Sequence, residues 1–134
     1  MSNFEDFRRE HRELDELFGR FLAATGAHDT EAAALAIEAF DDRLRRHTAR
    51  EEETVFSPIE GEKLLQKEPE GDAARHSREL RLEHVQIREL SGMIRRLLSE
   101  RADLDGAGRL AGNLARRWDA HTEREEREVF GSGA

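Results

Sequence analysis

Four histidines and two glutamates carry whatever chemistry this chain performs. His11, His47, His84 and His121 each stand on an apolar helical stripe, at a place where Leu or Phe would ordinarily sit. Two of them are followed four residues later by a carboxylate, Glu51 after His47 and Glu125 after His121. On a helix this spacing is one turn, so His and Glu share a face with Cβ atoms about 5–6 Å apart. A single histidine on an apolar face is ordinarily a hydrogen-bonded core residue, and a single glutamate near a helix end is ordinarily solvated. Two ionised carboxylates on inward faces are a different matter. Each costs free energy to bury without a partner, and the inward stripes offer no Lys or Arg to pair with them. A cation held between imidazole nitrogens and carboxylate oxygens is the simplest partner.

The elements that must position these residues are helices. After Asn3, a candidate N-cap, Phe4, Phe7, His11, Leu14, Leu17, Phe18 and Phe21 recur at helical spacing as far as Gly26. Asp29 or Thr30 can cap a second helix, whose stripe holds Ala33, Ile37, Phe40, Leu44, His47, Glu51 and Val55. Ser57-Pro58 is expected to end it, because the residue before proline avoids helical dihedrals. Residues 57–71 then form the longest connection, with at most a short helical turn around Lys63–Gln66. Asp72 can cap a third helix with Leu80, His84, Ile87, Leu90, Ile94 and Leu97 inside. A break near Asp103–Gly106 precedes a fourth, carrying Leu110, Leu114, Trp118, His121, Glu125 and Val129. The expected helices cover approximately 3–25, 30–56, 72–100 and 105–130, and no stretch alternates with period two. Short loops make antiparallel neighbours, so the sequence predicts a single all-α domain over 1–134, an up-down-up-down four-helix bundle.

Depth along such a bundle is an independent check. His11 lies 8 residues after the first helix begins, while His47 and His121 each lie 9 residues before a closing phenylalanine, Phe56 or Phe130. In antiparallel packing all three fall about 12–14 Å from one end of the bundle. His84, 12 residues after Asp72, is deeper by about one turn, which an extra leading turn on its helix would absorb. The four histidines therefore converge on one level. His28 falls in a predicted loop, and His76 lies about 12 Å along the helix from His84, so both are read as surface residues. Glu52, Glu53 and Glu126 are expected on a solvated face or just outside the ligands. Glu10 and Glu83 are about 100° round from the inward face and are left out of the ligand set.

The site is also written twice. HTAREEETVF at 47–56 and HTEREEREVF at 121–130 agree at seven of ten positions, including the His, the glutamates four and five residues on, and the closing Val-Phe. EHRELDELFG at 10–19 and EHVQIRELSG at 83–92 share Glu-His, an aliphatic three residues later, Glu-Leu and Gly. The separations of 74 and 73 residues point to one helical hairpin repeated, hence a pseudo-twofold bundle able to face two similar half-sites together.

Composition bounds the rest. At 134 residues, 39% charged and 37% apolar, the chain suits one core of amphipathic helices with charged outer faces. A formal charge of −8 leaves no basic footprint for nucleic acid or anionic lipid and favours a monomer over a dimer. There is no cysteine, which excludes disulfides, thiolate ligands and iron–sulfur clusters. No apolar run approaches the roughly 18 residues of a membrane span, and Met1–Glu10 has no signal-peptide pattern, so a cytoplasmic location is expected.

The combination of an early His in the first helix, H-x-x-x-E in the second and fourth, and Glu-His in the third resembles the hemerythrin-like (HHE) cation-binding family. The resemblance runs from His11 to Phe130. It implies two iron ions, with His11, His47, His84 and His121 as terminal ligands and Glu51 and Glu125 as bridges. The E-x-x-H motif of ferritin-like di-iron bundles is missing, since Arg8, Leu44, Arg81 and Trp118 stand three before the histidines. Oxygen-carrying hemerythrins have a further histidine one turn before the ligand matching His84, and here that residue is Leu80. With roughly six positions per iron, two histidines, two carboxylate oxygens and a solvent-derived bridge would leave about one position open on each metal. That arrangement suits a small oxidant: dioxygen, hydrogen peroxide or nitric oxide. No general acid or base is evident, so chemistry would rest on the metals. The alternative is a non-redox metal-binding or iron-sensing module whose fold depends on occupancy, for which zinc or manganese would also suit the ligands. A metal-free bundle used for protein contacts is the third reading.

Overall fold

The computed structural model describes residues 3–66 and 72–131, and among them there are helices and no strand. Helix α1 is Asn3–Gly26, α2 is Thr30–Glu51, and a π-helical segment, Glu52–Phe56, leads directly into α3, Ser57–Gln66. Helices α4, Asp72–Arg101, and α5, Leu104–Glu128, complete the fold. The connections that the sequence marks are tight. Asp29 caps α2 by accepting the Ala32 N–H at 3.0 Å, and Asp103 caps α5 by accepting the Gly106 N–H at 2.8 Å. A Cβ on residue 106 would overlap the Asp103 carboxylate, so a larger residue there would push the capping side chain aside. Before each cap one residue turns left-handed, His28 at φ 56° and Ala102 at φ 50°. The capping roles expected of Asn3 and Asp72 side chains lie outside the described residues.

Ser57-Pro58 does not end the second helix, contrary to the sequence expectation. Ser57 keeps helical dihedrals (φ −60°, ψ −44°), and its N–H reaches back five residues to the Glu52 carbonyl. Proline lacks an N–H and its ring crowds the carbonyl four residues back. In the first turn of a helix the missing donor costs little, and the widened π turn just before it supplies such a start. The chain therefore stays helical from Thr30 to Gln66.

Neighbouring helices meet through pairs whose numbers rise on one side and fall on the other. Glu10 meets His47 and Arg50 of α2, while Glu13 meets Arg43. Across α4 and α5, Glu83 meets His121 and Arg124, and Gln86 accepts from Arg117. Two apolar clusters form between the helices. The larger gathers Leu14, Phe18, Phe21, Ile37, Phe40, Leu44, Ile87, Ile94, Leu114 and Trp118; the smaller holds Phe7, Val55, Phe56, Leu80 and Phe130. His11, His47, His84 and His121 each fall in sequence between members of the two clusters, so a polar layer is sealed above and below.

One buried carboxylate ties α2 to α4 well away from that layer. Asp41 is 1% exposed, accepts from Ser91 Oγ at 2.8 Å, and pairs with Arg45 at 3.1 Å and Arg95 at 3.0 Å. Burial alone would raise its pKa, but Ser91 and the two guanidiniums hold it below the usual 3.8. Charge-assisted bonds of this kind contribute about 1.5–3 kcal/mol, so Asp41→Asn should cost about 2 kcal/mol and lower the melting temperature by about 5–10 °C at neutral pH. A depressed carboxylate stabilises the fold above its unfolded pKa and loses that contribution as pH falls through the folded value. The gap between wild type and variant should accordingly close below about pH 3.8 in thermal melts followed by circular dichroism.

Candidate metal centre

All six residues singled out from the sequence converge. His47, His84, His121, Glu51 and Glu125 are at most 2% exposed, and His11 is 6% exposed. They form two overlapping groups, His11–His47–Glu51–Glu125 and Glu51–His84–His121–Glu125, each with ligand-type atoms all within 4.8 Å of one another. Both glutamates belong to both groups. Glu51 presents one oxygen to His84 Nε2 at 2.9 Å and the other to His47 Nε2 at 3.7 Å. Glu125 Oε1 faces His11 Nε2 at 3.1 Å and His121 Nε2 at 3.2 Å, while its Oε2 faces His84 Nε2 at 3.7 Å.

These close approaches are not hydrogen bonds. The Nε2 atom of all four histidines and both oxygens of Glu51 and Glu125 are buried without a hydrogen-bond partner. Among the described residues the one other buried side-chain atom in that condition is Glu13 Oε2, which lies 2.8 Å from an Arg43 nitrogen. Buried polar atoms are nearly always satisfied. Eight unsatisfied atoms pointed at one another, all nitrogen or carboxylate oxygen, are the donor set that a divalent or trivalent cation takes. The residues present therefore fit the metal that the sequence implies.

The other ring nitrogens carry a second observation. His47 Nδ1 lies 2.6 Å from Glu10, His84 Nδ1 2.7 Å from Glu52, and His121 Nδ1 2.8 Å from Glu83. A carboxylate accepting the Nδ1 proton fixes the tautomer and turns the Nε2 lone pair inward, the arrangement that metal-bound histidine usually shows. Each carboxylate is itself held by an arginine: Glu10 by Arg50, Glu52 by Arg88 at 3.1 Å, and Glu83 by Arg124 at 2.8 Å. Burial would raise these three acids, yet their histidine and arginine partners lower all of them, Glu52 to about 2. Glu10 and Glu83, the ambiguous pair of the sequence, thus touch a histidine on the neighbouring helix. Their offset from the inward face was the signal, but which ring they reach depends on helix packing. His28 is exposed, and His76 lies beside Glu128 at 3.6 Å, both outside the cluster.

Rings close the layer. Phe7 stands against His47, Phe130 against His11 and Phe56 against His84, with centroids 5.5–5.7 Å apart. On the other side the Trp118 ring covers His11 at 5.5 Å and His121 at 6.2 Å, and its indole N–H donates to Asp15 at 2.7 Å. The π turn explains how Phe56 arrives. Five residues at 100° each would carry it ~140° round the helix from Glu51; a wider turn returns it toward the same face. Its counterpart Phe130 is placed likewise, by an N–H that reaches back five residues to Glu125 at 2.8 Å. Leu80 is fully buried in the same apolar cluster.

Without a cation, protons must balance the charge. Desolvation and the neighbouring Glu125 push Glu51 well above the ordinary carboxylate range. Glu125 moves the other way, its own desolvation outweighed by His121, Glu51 and His11. His84 is buried, which disfavours its charged form, but Glu125, Glu51 and Glu52 around it carry its pKa well above that of free imidazole. A carboxyl whose folded pKa is raised stabilises the fold at low pH and progressively less as pH rises above the unfolded value near 4.5. Glu51→Gln removes that dependence. The metal-free variant should therefore be more stable than metal-free wild type at pH 7 by about 1–3 kcal/mol, with the difference growing from pH 5 to 7 in chemical denaturation; an unchanged or lower stability would contradict the burial argument.

Comparison with known proteins bears on the same residues. The family model described as the hemerythrin HHE cation binding domain matches residues 2–132. No curated protein and no solved structure matches the chain.

Proposed function

The chain belongs to the hemerythrin HHE cation-binding family, and on that premise we propose that it holds two iron ions and binds, senses or breaks down a small oxidant. The observation that carries the reading is that two four-residue groups share both carboxylates, Glu51 and Glu125. His11 and His47 would serve one ion, His84 and His121 the other, and the glutamates would span both. In this reading the helices form an up-down-up-down bundle whose pseudo-twofold follows the 74-residue repeat of the HTxREExxVF segment.

Bound iron would supply the redox and Lewis-acid chemistry that the side chains lack. The chain's own part is to position and exclude. Glu10, Glu52 and Glu83 keep three Nε2 lone pairs inward. Phe7, Phe56, Phe130 and Trp118 keep water away from the layer. Apolar walls of this kind suit a small neutral molecule such as dioxygen, hydrogen peroxide or nitric oxide, and the open iron positions inferred from Leu80 are where it would bind. Among the described residues no helix is long and apolar enough to cross a membrane; with the absence of cysteine, this supports a cytoplasmic setting. The charge of −8 supports a monomer.

A second reading rests on the apposed glutamates. Because Glu51 and Glu125 repel each other when the metal is absent, occupancy would be worth much of the fold's stability, and zinc or manganese would do this as well as iron. The bundle would then be a metal-dependent binding or sensing module.

Elemental analysis of protein expressed with iron, alongside His47→Ala, separates the two. About two irons per chain, halved or lost in the variant, is the expected result, with near-ultraviolet absorption that changes on adding peroxide or nitric oxide. Zinc alone, or iron that gives no such change, would favour the second reading. Loading should also release protons, since a ligating His84 must give up the proton that its neighbours stabilise. A dye in weakly buffered solution at pH 7 is expected to report at least one proton per chain, and no release would count against His84 as a ligand.

A further inference from the structure

Three of the four histidines have a carboxylate on their outer nitrogen, and among the described residues His11 has none. The sequence repeat indicates which residue is missing from its place. Glu52 supports His84, and 74 residues later Glu126 occupies the matching position beside His11, itself 73 residues before His84. Glu126 is turned elsewhere: Arg8 Nε donates to both of its oxygens, at 2.9 and 3.1 Å, while the same guanidinium donates to the Phe130 carbonyl at 3.1 Å. The matching arginine, Arg81, is instead occupied by Glu60 at 2.9 Å and Ser57 at 2.8 Å, both on α3; it donates to the Glu52 carbonyl at 3.4 Å and comes no nearer to the Glu52 carboxylate than 3.5 Å. The hydrogen bonds of the Glu52 carboxylate thus go to His84 and Arg88. Helix α3 begins at Ser57, directly after the π turn, and so brings Ser57 and Glu60 to Arg81. The difference between the halves therefore has a cause in the chain.

His11 is also the most exposed of the four rings, 6% against 2% or less. It borders a surface cleft between α1 and α5 that is lined by Arg8, Arg12, Asp15, Glu123 and Glu126. A ring without an outer carboxylate is a weaker base whose tautomer that bond does not fix, and loss of such a partner typically lowers metal affinity 10–100-fold. We infer that the two half-sites are unequal: the His84–His121 half fills first and holds its ion, while the His11–His47 half fills last and releases first. This inference rests on the metal-binding reading above. It makes Glu52 and Glu83 positioning residues for the tight half, and Glu126, despite its place in the repeat, none for the weak one.

Stepwise titration of the metal-free protein with cobalt(II), followed by visible absorption and by native mass spectrometry, tests it. Wild type should show a one-ion species over a range of added metal, with the second step at least tenfold weaker. Glu52→Gln should weaken the first step about 10–100-fold, and Glu83→Gln gives the same reading if that variant does not fold. Glu126→Gln should leave both steps within about twofold, since Glu126 bonds Arg8 and not the ring. A general loss of structure would move both steps together, so the selective loss of one step is the discriminating readout. No cobalt binding by wild type would defeat the metal-binding reading itself. Two ions taken up together with equal affinity, or Glu126→Gln weakening the second step as Glu52→Gln weakens the first, would overturn the inequality while leaving that reading in place.

Discussion

Two glutamates facing each other in a dry core set the terms for everything around them. Glu51 and Glu125 are fully buried, and neither has a hydrogen bond. Mutual repulsion in a low-dielectric interior is costly, and among the described residues no lysine or arginine pairs with either carboxylate to relieve it. Four imidazoles do surround the pair, each aiming Nε2 at it. The helix pairing, the widened turn and the outer carboxylates can all be understood as holding this arrangement against its own repulsion until positive charge arrives.

Rigidity comes from both sides of the layer. Above and below, apolar clusters fix helix spacing, so ring positions are set by packing and not by the polar atoms themselves. At the rim, His–Glu–Arg chains orient three rings. Asp41 and its arginines clamp α2 to α4 farther along, where no site chemistry depends on them. Such a division lets the binding layer be poorly satisfied while the molecule as a whole remains folded.

Much of this was legible in the residues. Helical periodicity located the helices and put His11 and His84 on inward stripes, and the H-x-x-x-E spacing with its repeat picked out the other four converging residues, because period and spacing are properties of a single helix. What escaped was relational. Pro58 looked like a terminator because the rule concerns ordinary α-turns, and a π turn ahead of it removed the conflict. Glu10 and Glu83 could be placed on an edge of their helices but not assigned to His47 and His121, since that depends on how neighbouring helices rotate. The outer role of Glu52 depends on α3, which takes up Arg81 and which the sequence suggests only as a short turn.

The His–Glu–Arg chains have a further consequence. Each begins at a nitrogen in the dry layer and ends at a guanidinium that still meets water, with the side chains of Arg50, Arg88 and Arg124 between 20% and 44% exposed. A hydrogen-bonded chain transmits polarisation, so a change in charge at the surface end alters the basicity of the ring at the inner end. The centre is buried from bulk solvent but not insulated from the solution's ionic strength. Salt, or an acidic surface docking over these arginines, would adjust how tightly the inner nitrogens hold a cation without moving a single core side chain.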